Sequence, residues 1–294
     1  MEVNLVKLEE KILTDFQNAT RLSDLPSGTF NSYTSRKGLK KAIQKGWIRV
    51  NNEPAYTATL VKNGDLISLY RNEESNRPNN LRLKLEVLWE DDHLAVINKP
   101  AGILVNGNKK WTVENALSQN LKISSQTDFL KHPQAIHRLD YPTTGTLLVG
   151  KTSTSVIALN KLFSDKQVDK RYMAICIGEL PQEGDITELV DGKESHSSFK
   201  KMDTVVSERF SFLNLVRLIP HTGRRHQLRQ HLASISCPIL GDAQYGIPGK
   251  ILHGKGLYLH SEMIAFKHPV SEEKIEFVAP LPKKFGKIFP PKNI

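Results

Sequence analysis

His137-Arg138-Leu139-Asp140-Tyr141-Pro142-Thr143-Thr144-Gly145-Thr146-Leu147-Leu148-Val149-Gly150 is the stretch on which the reading of this chain turns. Its second half, from Thr146 to Val149, is apolar and partly β-branched and predicts a buried strand. Its first half is a Pro/Thr/Gly turn that sets a carboxylate, Asp140, at the mouth of that strand, beside His137 and Arg138. Loops held by a rigid strand are where reactive groups are usually displayed. An aspartate in such a turn more often caps its own backbone, and this stretch alone leaves both readings open.

Working outward, apolar runs at 85–89 and 94–97 flank the acidic turn Glu90-Asp91-Asp92-His93, a hairpin signature. Strand-like runs recur at 172–177, 212–218, 257–259 and 275–278, with helices expected only at 154–163 and 225–235. Strands joined mostly to strands predict an α+β fold built on a largely antiparallel mixed sheet with flanking helices. No internal repeat or low-complexity tract interrupts it.

The second concentration of chemistry is His221-Thr222-Gly223-Arg224-Arg225-His226-Gln227-Leu228-Arg229-Gln230-His231. It reads as a strand end, a Thr-Gly turn and a helix burying Leu228, Leu232 and Ile235. Arg224, Arg225 and Arg229 cluster around its first turn with no acid nearby. Arginine beside a carboxylate favours the ionised form that a nucleophile needs, and it is also the natural fork for phosphate. A basic surface helix would look the same.

Other chemistries lack their frames. His226 and His231 are five apart, about 140° around a helix, so they share no face for zinc. The chain has no Cys-x-x-Cys pair, no Gly-x-Ser-x-Gly elbow and no glycine-rich phosphate loop. The expectation is no metal and no cofactor: one carboxylate runs the reaction.

With 294 residues, 39% of them hydrophobic, the chain can bury one large core and a small one. No apolar run approaches the roughly 20 residues that span a bilayer. Residues 1–13 carry Glu2, Lys7, Glu9, Glu10 and Lys11, which suits neither a secretory nor a transit segment, so a cytoplasmic protein is expected. Cys176 and Cys237 lie far apart in apolar sequence and read as buried reduced thiols. The net charge of +10 calls for an acidic partner, and nucleic acid is the commonest one.

The polar stretch 71–80, with Pro78, reads as a linker. Before it, Ser35 can cap a helix over 36–45 that buries Leu39, Ala42 and Ile43 and stops at Gly46. Short strands are expected at 47–50 and 66–70. Arg36, Lys37, Lys40, Lys41, Lys45 and Arg49 occur without an intervening acid, and a single-sign face is suited to tracking phosphates. This basic helix, followed by Trp47-Ile48-Arg49-Val50-Asn51-Asn52 and Asn63-Gly64-Asp65-Leu66-Ile67-Ser68-Leu69, resembles the alpha-L RNA-binding module of the ribosomal S-four type. The expected organisation is a module at 1–72, a linker at 73–82 and a catalytic domain at 83–294.

Taken together, the catalytic stretches resemble the RluA-type pseudouridine synthase family. The resemblance runs in order through Glu90 to Gly102, His137 to Gly145, Lys170-Arg171-Tyr172-Met173-Ala174, Thr222 to Arg229, Pro238 to Gly246, and Leu257-Tyr258-Leu259-His260. It implies the pseudouridine synthase fold and conversion of uridine in RNA to its C-glycoside isomer without metal or cofactor. It casts Asp140 as the essential carboxylate, Tyr172 as the pocket tyrosine that stacks on the base, and Arg224 as the arginine pairing with the aspartate. Arg138 would fill the gap left by a flipped-out uridine. His137, Thr144, Gly145, Gly223, Gln227 and Arg229 would bind substrate, with Arg36, Lys37, Lys40 and Lys41 holding RNA from the module. The family often has arginine after the aspartate and Thr-Ser-Gly in the turn, where this chain has Tyr141 and Thr143-Thr144-Gly145. The expected partner is RNA, ribosomal ahead of transfer RNA, with no membrane, no nucleotide cofactor and the chain acting as a monomer. A non-catalytic RNA-binding or ribosome-assembly protein is the reading from another class.

Overall fold

A computed structural model describes residues 5–14, 18–26, 28–30, 35–72, 81, 83–252 and 254–290. The chain falls into two compact units, Met1–Pro78 and Asn79–Ile294. The linker expected at 73–82 lies outside the described residues except for Leu81.

In the first unit, the Ser35 hydroxyl accepts from the Gly38 amide at 3.1 Å and starts the helix Arg36–Gln44. Gly46, at φ +69°, ends it in the left-handed conformation that glycine tolerates. Leu39, Ala42 and Ile43 are buried with Ile48, Ile67 and Leu69 of the sheet. That sheet runs in the order Leu5–Ile12, Leu66–Asn72, Ile48–Val50, Glu53–Pro54. Arg36, Lys37, Lys40 and Lys41 are all exposed. The strand Leu5–Ile12 was not expected: only Leu5 and Glu9 are even half-buried, so no apolar alternation announces it.

The second unit is built on a ten-stranded sheet, antiparallel but for one pairing. Its order is Glu183–Ile186, Ser197–Ser207, Ser211–Pro220, Asp169–Ile177, Leu259–Lys267, Thr144–Thr152, Leu94–Lys99, Glu86–Glu90. Lys274–Val278 adds to Leu259–Lys267, and Phe129–Ala135 adds to Thr144–Thr152. The hairpin Glu86–Glu90/Leu94–Lys99 turns on Asp91, whose carboxylate accepts from the amides of His93 and Leu94. Helices Ser153–Ser164 and Gln227–Ser234 form near the expected places. A third, Val113–Asn120, was not expected; Thr112 caps it, and it buries Val113, Ala116 and Leu117. Cys176 and Cys237 are buried and unpaired. Among the described residues, no helix is long and apolar enough to cross a membrane.

The parallel pairing is short, Thr144 with His260 and Gly145 with Ser261. At Gly145, φ is +113° and a Cβ would stand 2.1 Å from the Ser261 carbonyl oxygen. Only glycine lets the two backbones meet there, immediately after the Asp140 turn.

Candidate active site

A pocket of about 460 Å³ opens where the Asp140 turn, the strand Asp169–Ile177 and the turn before Gln227–Ser234 converge. Asp140, Tyr172, Arg138, Arg224, His226 and Arg229 are in its wall. Beneath the Asp140 turn lies Lys99, wholly buried. Its ammonium donates to the carbonyls of Thr143 (2.8 Å), Pro100 (2.9 Å) and Tyr141 (3.4 Å). Burial pushes this lysine down to about 8, against the pull of the nearby Asp140 charge. The Thr143 amide closes the turn on the Asp140 carbonyl at 3.0 Å, and the Gly102 amide holds the Tyr141 carbonyl at 2.9 Å. The loop that carries the carboxylate is therefore fastened from behind by hydrogen bonds to its own carbonyls.

Arg229 reaches the carboxylate from the other side. Its Nη1 donates to Asp140 Oδ2 at 3.2 Å, while Nε and Nη2 grip Asp242 at 2.7 and 2.9 Å. Asp242 is buried and in turn accepts from the amides of Gln244 and Tyr245. Burial opposes both charges, but the hydrogen bonds between them win, holding Arg229 above and Asp242 below their ordinary values. The guanidinium also lies 5.0 Å from the Tyr245 ring centre. His226 Nε2 stands 3.6 Å from Asp140 Oδ1, and its Nδ1 is 3.1 Å from the Tyr245 hydroxyl. Burial, with help from Arg229 and Arg225, pushes His226 below the usual histidine range.

This geometry corrects the expected partner of Asp140. Arg224 is exposed, and its Nε donates to the Glu194 carbonyl at 3.1 Å, while Arg229 makes the ion pair. The helix starts later than its sequence suggests, because His226 adopts a left-handed φ of +54°. Arg224 is left in the preceding turn, and Arg229 faces inward.

Tyr172 stands in the pocket wall and packs against two core clusters. Burial raises its phenol to about 12, so it stays protonated near neutrality. Arg138 is exposed and makes no ion pair with any described residue. Thr143 helps to line the pocket, and its buried hydroxyl has no hydrogen-bond partner among the described residues.

Several residues expected to touch substrate do other work. Thr144 Oγ1 is 2.8 Å from His260 Nδ1, and Gly145 is pressed against Ser261, so both stitch strands together. Gln227 is buried with its amide fully occupied: Oε1 accepts from Thr222 Oγ1 and the Arg224 amide, and Nε2 donates to His196 O and Ser197 Oγ. His137 Nε2 accepts from the Leu148 amide at 3.1 Å, and the ring stacks on Phe163 at 5.0 Å. Burial takes this imidazole down to about 3, so it is a neutral strut of the wall. Gly223 lines the pocket, and a Cβ there would meet nothing within 4 Å.

Sequence reasoning missed Lys99, Thr143, His226 and Asp242 as parts of the site. Each lies inside a stretch already singled out, but nothing local says that these side chains turn inward. Among the described residues, Asp185, His196 and His221 converge, outside the pocket.

The sequence pattern of the family described as RNA pseudouridylate synthase matches residues 93–234. The chain is 31% identical over 296 residues to ribosomal large subunit pseudouridine synthase D of Vibrio cholerae, covering 91% of this chain and 90% of that protein. It is 34% identical over 229 residues to tRNA pseudouridine synthase C of Pasteurella multocida, covering 67% of this chain and 91% of that one. Among solved structures, human RNA pseudouridylate synthase domain containing 4 superposes with a TM-score of 0.55 at 26% identity, over 68% of this chain and 90% of its own.

Proposed function

Because this chain belongs to the RNA pseudouridylate synthase family, we propose that the Asp140 pocket receives a single uridine extruded from folded RNA and isomerises it without metal or organic cofactor. The chain is an RNA pseudouridine synthase. The observation that carries the assignment of the site is the Asp140–Arg229 ion pair in a pocket walled by Tyr172. Asp140 drives cleavage of the bond between uracil N1 and ribose C1′. The freed uracil turns in the pocket and bonds to C1′ through C5. The C5 proton is then lost and N1 ends protonated, so atoms and electrons balance with no outside reagent. Arg229, locked to Asp242, aims the carboxylate at the sugar.

Tyr172, a phenol at neutral pH, supplies a stacking face and a proton donor rather than a phenolate base. A uridine inside a stack is unreachable until flipped, at a cost of a few kcal/mol. Arg138, which makes no ion pair with a described residue, fills the gap it leaves, as a guanidinium plane can. Arg224 and Arg225 at the rim hold the flanking phosphates.

We propose ribosomal RNA as the target and a role for residues 1–72 as an alpha-L-type RNA-binding module, with 83–294 as the catalytic domain. The ribosomal-RNA relative spans more of this chain than the transfer-RNA relative does. The exposed Arg36, Lys37, Lys40 and Lys41 suit a phosphate surface. The test is to incubate the purified chain with ribosomal and transfer RNA transcripts and map pseudouridine in each. Product in ribosomal RNA alone supports the proposal; product in transfer RNA alone overturns the target. RNA binding without product in either would favour the non-catalytic reading.

A further inference from the structure

Three side chains able to bind a metal converge on the second unit, away from the pocket lining. Asp185 belongs to the strand Glu183–Ile186, His196 immediately precedes Ser197–Ser207, and His221 immediately follows Ser211–Pro220. Sheet register brings them together. Asp185 pairs with Ser198, Ser197 pairs with Pro220, and the His221 amide donates to the His196 carbonyl at 3.0 Å. One ligand atom from each residue then lies within 4.8 Å of the other two.

Their orientation is as informative as their distance. The two imidazole rings lie nearly parallel, 4.2 Å between centres and 24° between planes. His196 Nε2 is 2.7 Å from Asp185 Oδ1. His221 Nε2 is 2.6 Å from Ser198 Oγ, which donates to the same Asp185 oxygen at 2.7 Å. Both ring nitrogens and the carboxylate thus belong to one hydrogen-bonded group bridged by the Ser198 hydroxyl, and the stacked rings tilt apart when both nitrogens take the same ion.

We propose that this cluster binds a divalent transition-metal ion of the zinc class, through Nε2 of His196, Nε2 of His221 and the Asp185 carboxylate. Two imidazoles with one carboxylate is a donor set that suits zinc, whereas magnesium and calcium favour oxygen alone. Three protein ligands leave a fourth position for water. Around a tetrahedral zinc, such ligand atoms stand roughly 3.4 Å apart, given metal–nitrogen distances of about 2.1 Å. The 2.7 Å pair opens slightly and the widest gap closes by side-chain rotation, for which Asp185 and His221 are exposed enough.

The site reaches the pocket through one short chain of hydrogen bonds. The His196 amide donates to Thr222 Oγ1 at 3.0 Å, Thr222 donates to Gln227 Oε1 at 2.7 Å, and Gln227 Nε2 returns to the His196 carbonyl at 2.9 Å. Thr222 and Gln227 both line the pocket. An ion that pins His196 and His221 braces the turn carrying Arg224, without taking part in the isomerisation. The proposal stands on this geometry and is independent of how the pocket works.

The test titrates the full chain, free of any polyhistidine tag, with Co²⁺ as a spectroscopic substitute and then with Zn²⁺. One equivalent of Co²⁺ should bind with the visible bands of a four-coordinate nitrogen/oxygen site and be displaced by one equivalent of Zn²⁺. The double variant His196→Asn/His221→Asn should weaken binding by more than the roughly 10- to 100-fold that loss of an outer partner costs. Thermal unfolding in chelator checks that the variant folds. If it does not fold, the imidazole proton resonances of wild type decide: those of His196 and His221 should shift with Zn²⁺. Absence of saturable binding, saturable binding unchanged in a folded double variant, or unmoved His196 and His221 resonances would each overturn the proposal.

Discussion

Arg229 Nη1 donates to Asp140 Oδ2 across 3.2 Å, joining residues 89 positions apart in the chain. The guanidinium cannot turn away, because its other two nitrogens are locked bidentately on the buried Asp242. A planar fork bound twice on one carboxylate presents its remaining arm in one direction. Lys99 fixes the aspartate's loop from the opposite side through the carbonyls of Tyr141 and Thr143. The carboxylate is thus positioned twice over.

Arg229 and Arg224 should therefore respond differently to substitution. Arg229→Met strands the buried Asp242, so stability should fall by about 3–5 kcal/mol and turnover should be lost. Arg224→Ala, at an exposed site, should change stability by no more than about 0.5 kcal/mol and act mainly on KM. Denaturant melts with steady-state kinetics read both. A stable, active Arg229→Met would break the assignment.

Thr143 offers a cleaner probe of substrate contact, because its buried hydroxyl is unpartnered among the described residues. Thr143→Val removes a buried polar atom that nothing satisfies, so stability should hold or rise. If the hydroxyl meets the bound nucleoside, kcat/KM should drop about tenfold, the worth of one hydrogen bond. Unchanged kinetics would place Thr143 outside recognition.

The neutral His137 predicts a pH dependence. Its folded value of about 3 lies below the unfolded value near 6.5, so between the two the unfolded chain binds a proton that the native chain does not. Its contribution to stability is present above about pH 6.5 and is lost as pH falls towards 3, at up to about 1.4 kcal/mol per unit. His137→Gln keeps an acceptor for the Leu148 amide but does not titrate. Unfolding free energies measured from pH 4 to 7 should show a slope shallower by about one proton in the variant. Equal slopes would contradict a neutral imidazole at this half-buried position.

The basic helix can be tested through salt. Arg36→Ala/Lys37→Ala/Lys40→Ala/Lys41→Ala removes four exposed cations and should reduce the slope of log affinity against log salt by roughly 3 on single-stranded RNA. Isolated ribosomal RNA fragments and a filter-binding series suffice. An unchanged slope would remove this helix from the RNA contact.

How much of this was legible in the sequence follows from how local each signal is. The hairpin around Asp91 and the Ser35-capped helix were readable because a turn or cap sits beside its own apolar periodicity. The strand Ser197–Ser207 was not, since much of its length alternates exposed and half-buried positions and carries Lys200 outward. The run 257–259 reads as a strand, yet Leu257 and Tyr258 are buried in the approach, and the strand Leu259–Lys267 carries polar His260, Ser261 and Glu262. Within the site, motif order points to Asp140, Tyr172 and Arg224, but that Arg229 rather than Arg224 pairs with Asp140 depends on the backbone of His226, which no spacing reveals. One helix face and the lack of a Cys-x-x-Cys pair say nothing of His196 and His221, which flank two different strands 25 residues apart in the chain.

The most direct measurement is pseudouridine formation by Asp140→Asn in ribosomal RNA, with binding of the same RNA measured in parallel. The substitution preserves size and an acceptor for Arg229 but removes the charge. The account predicts no detectable product from a variant that still folds and binds RNA. Turnover by that variant at a rate near wild type would contradict it.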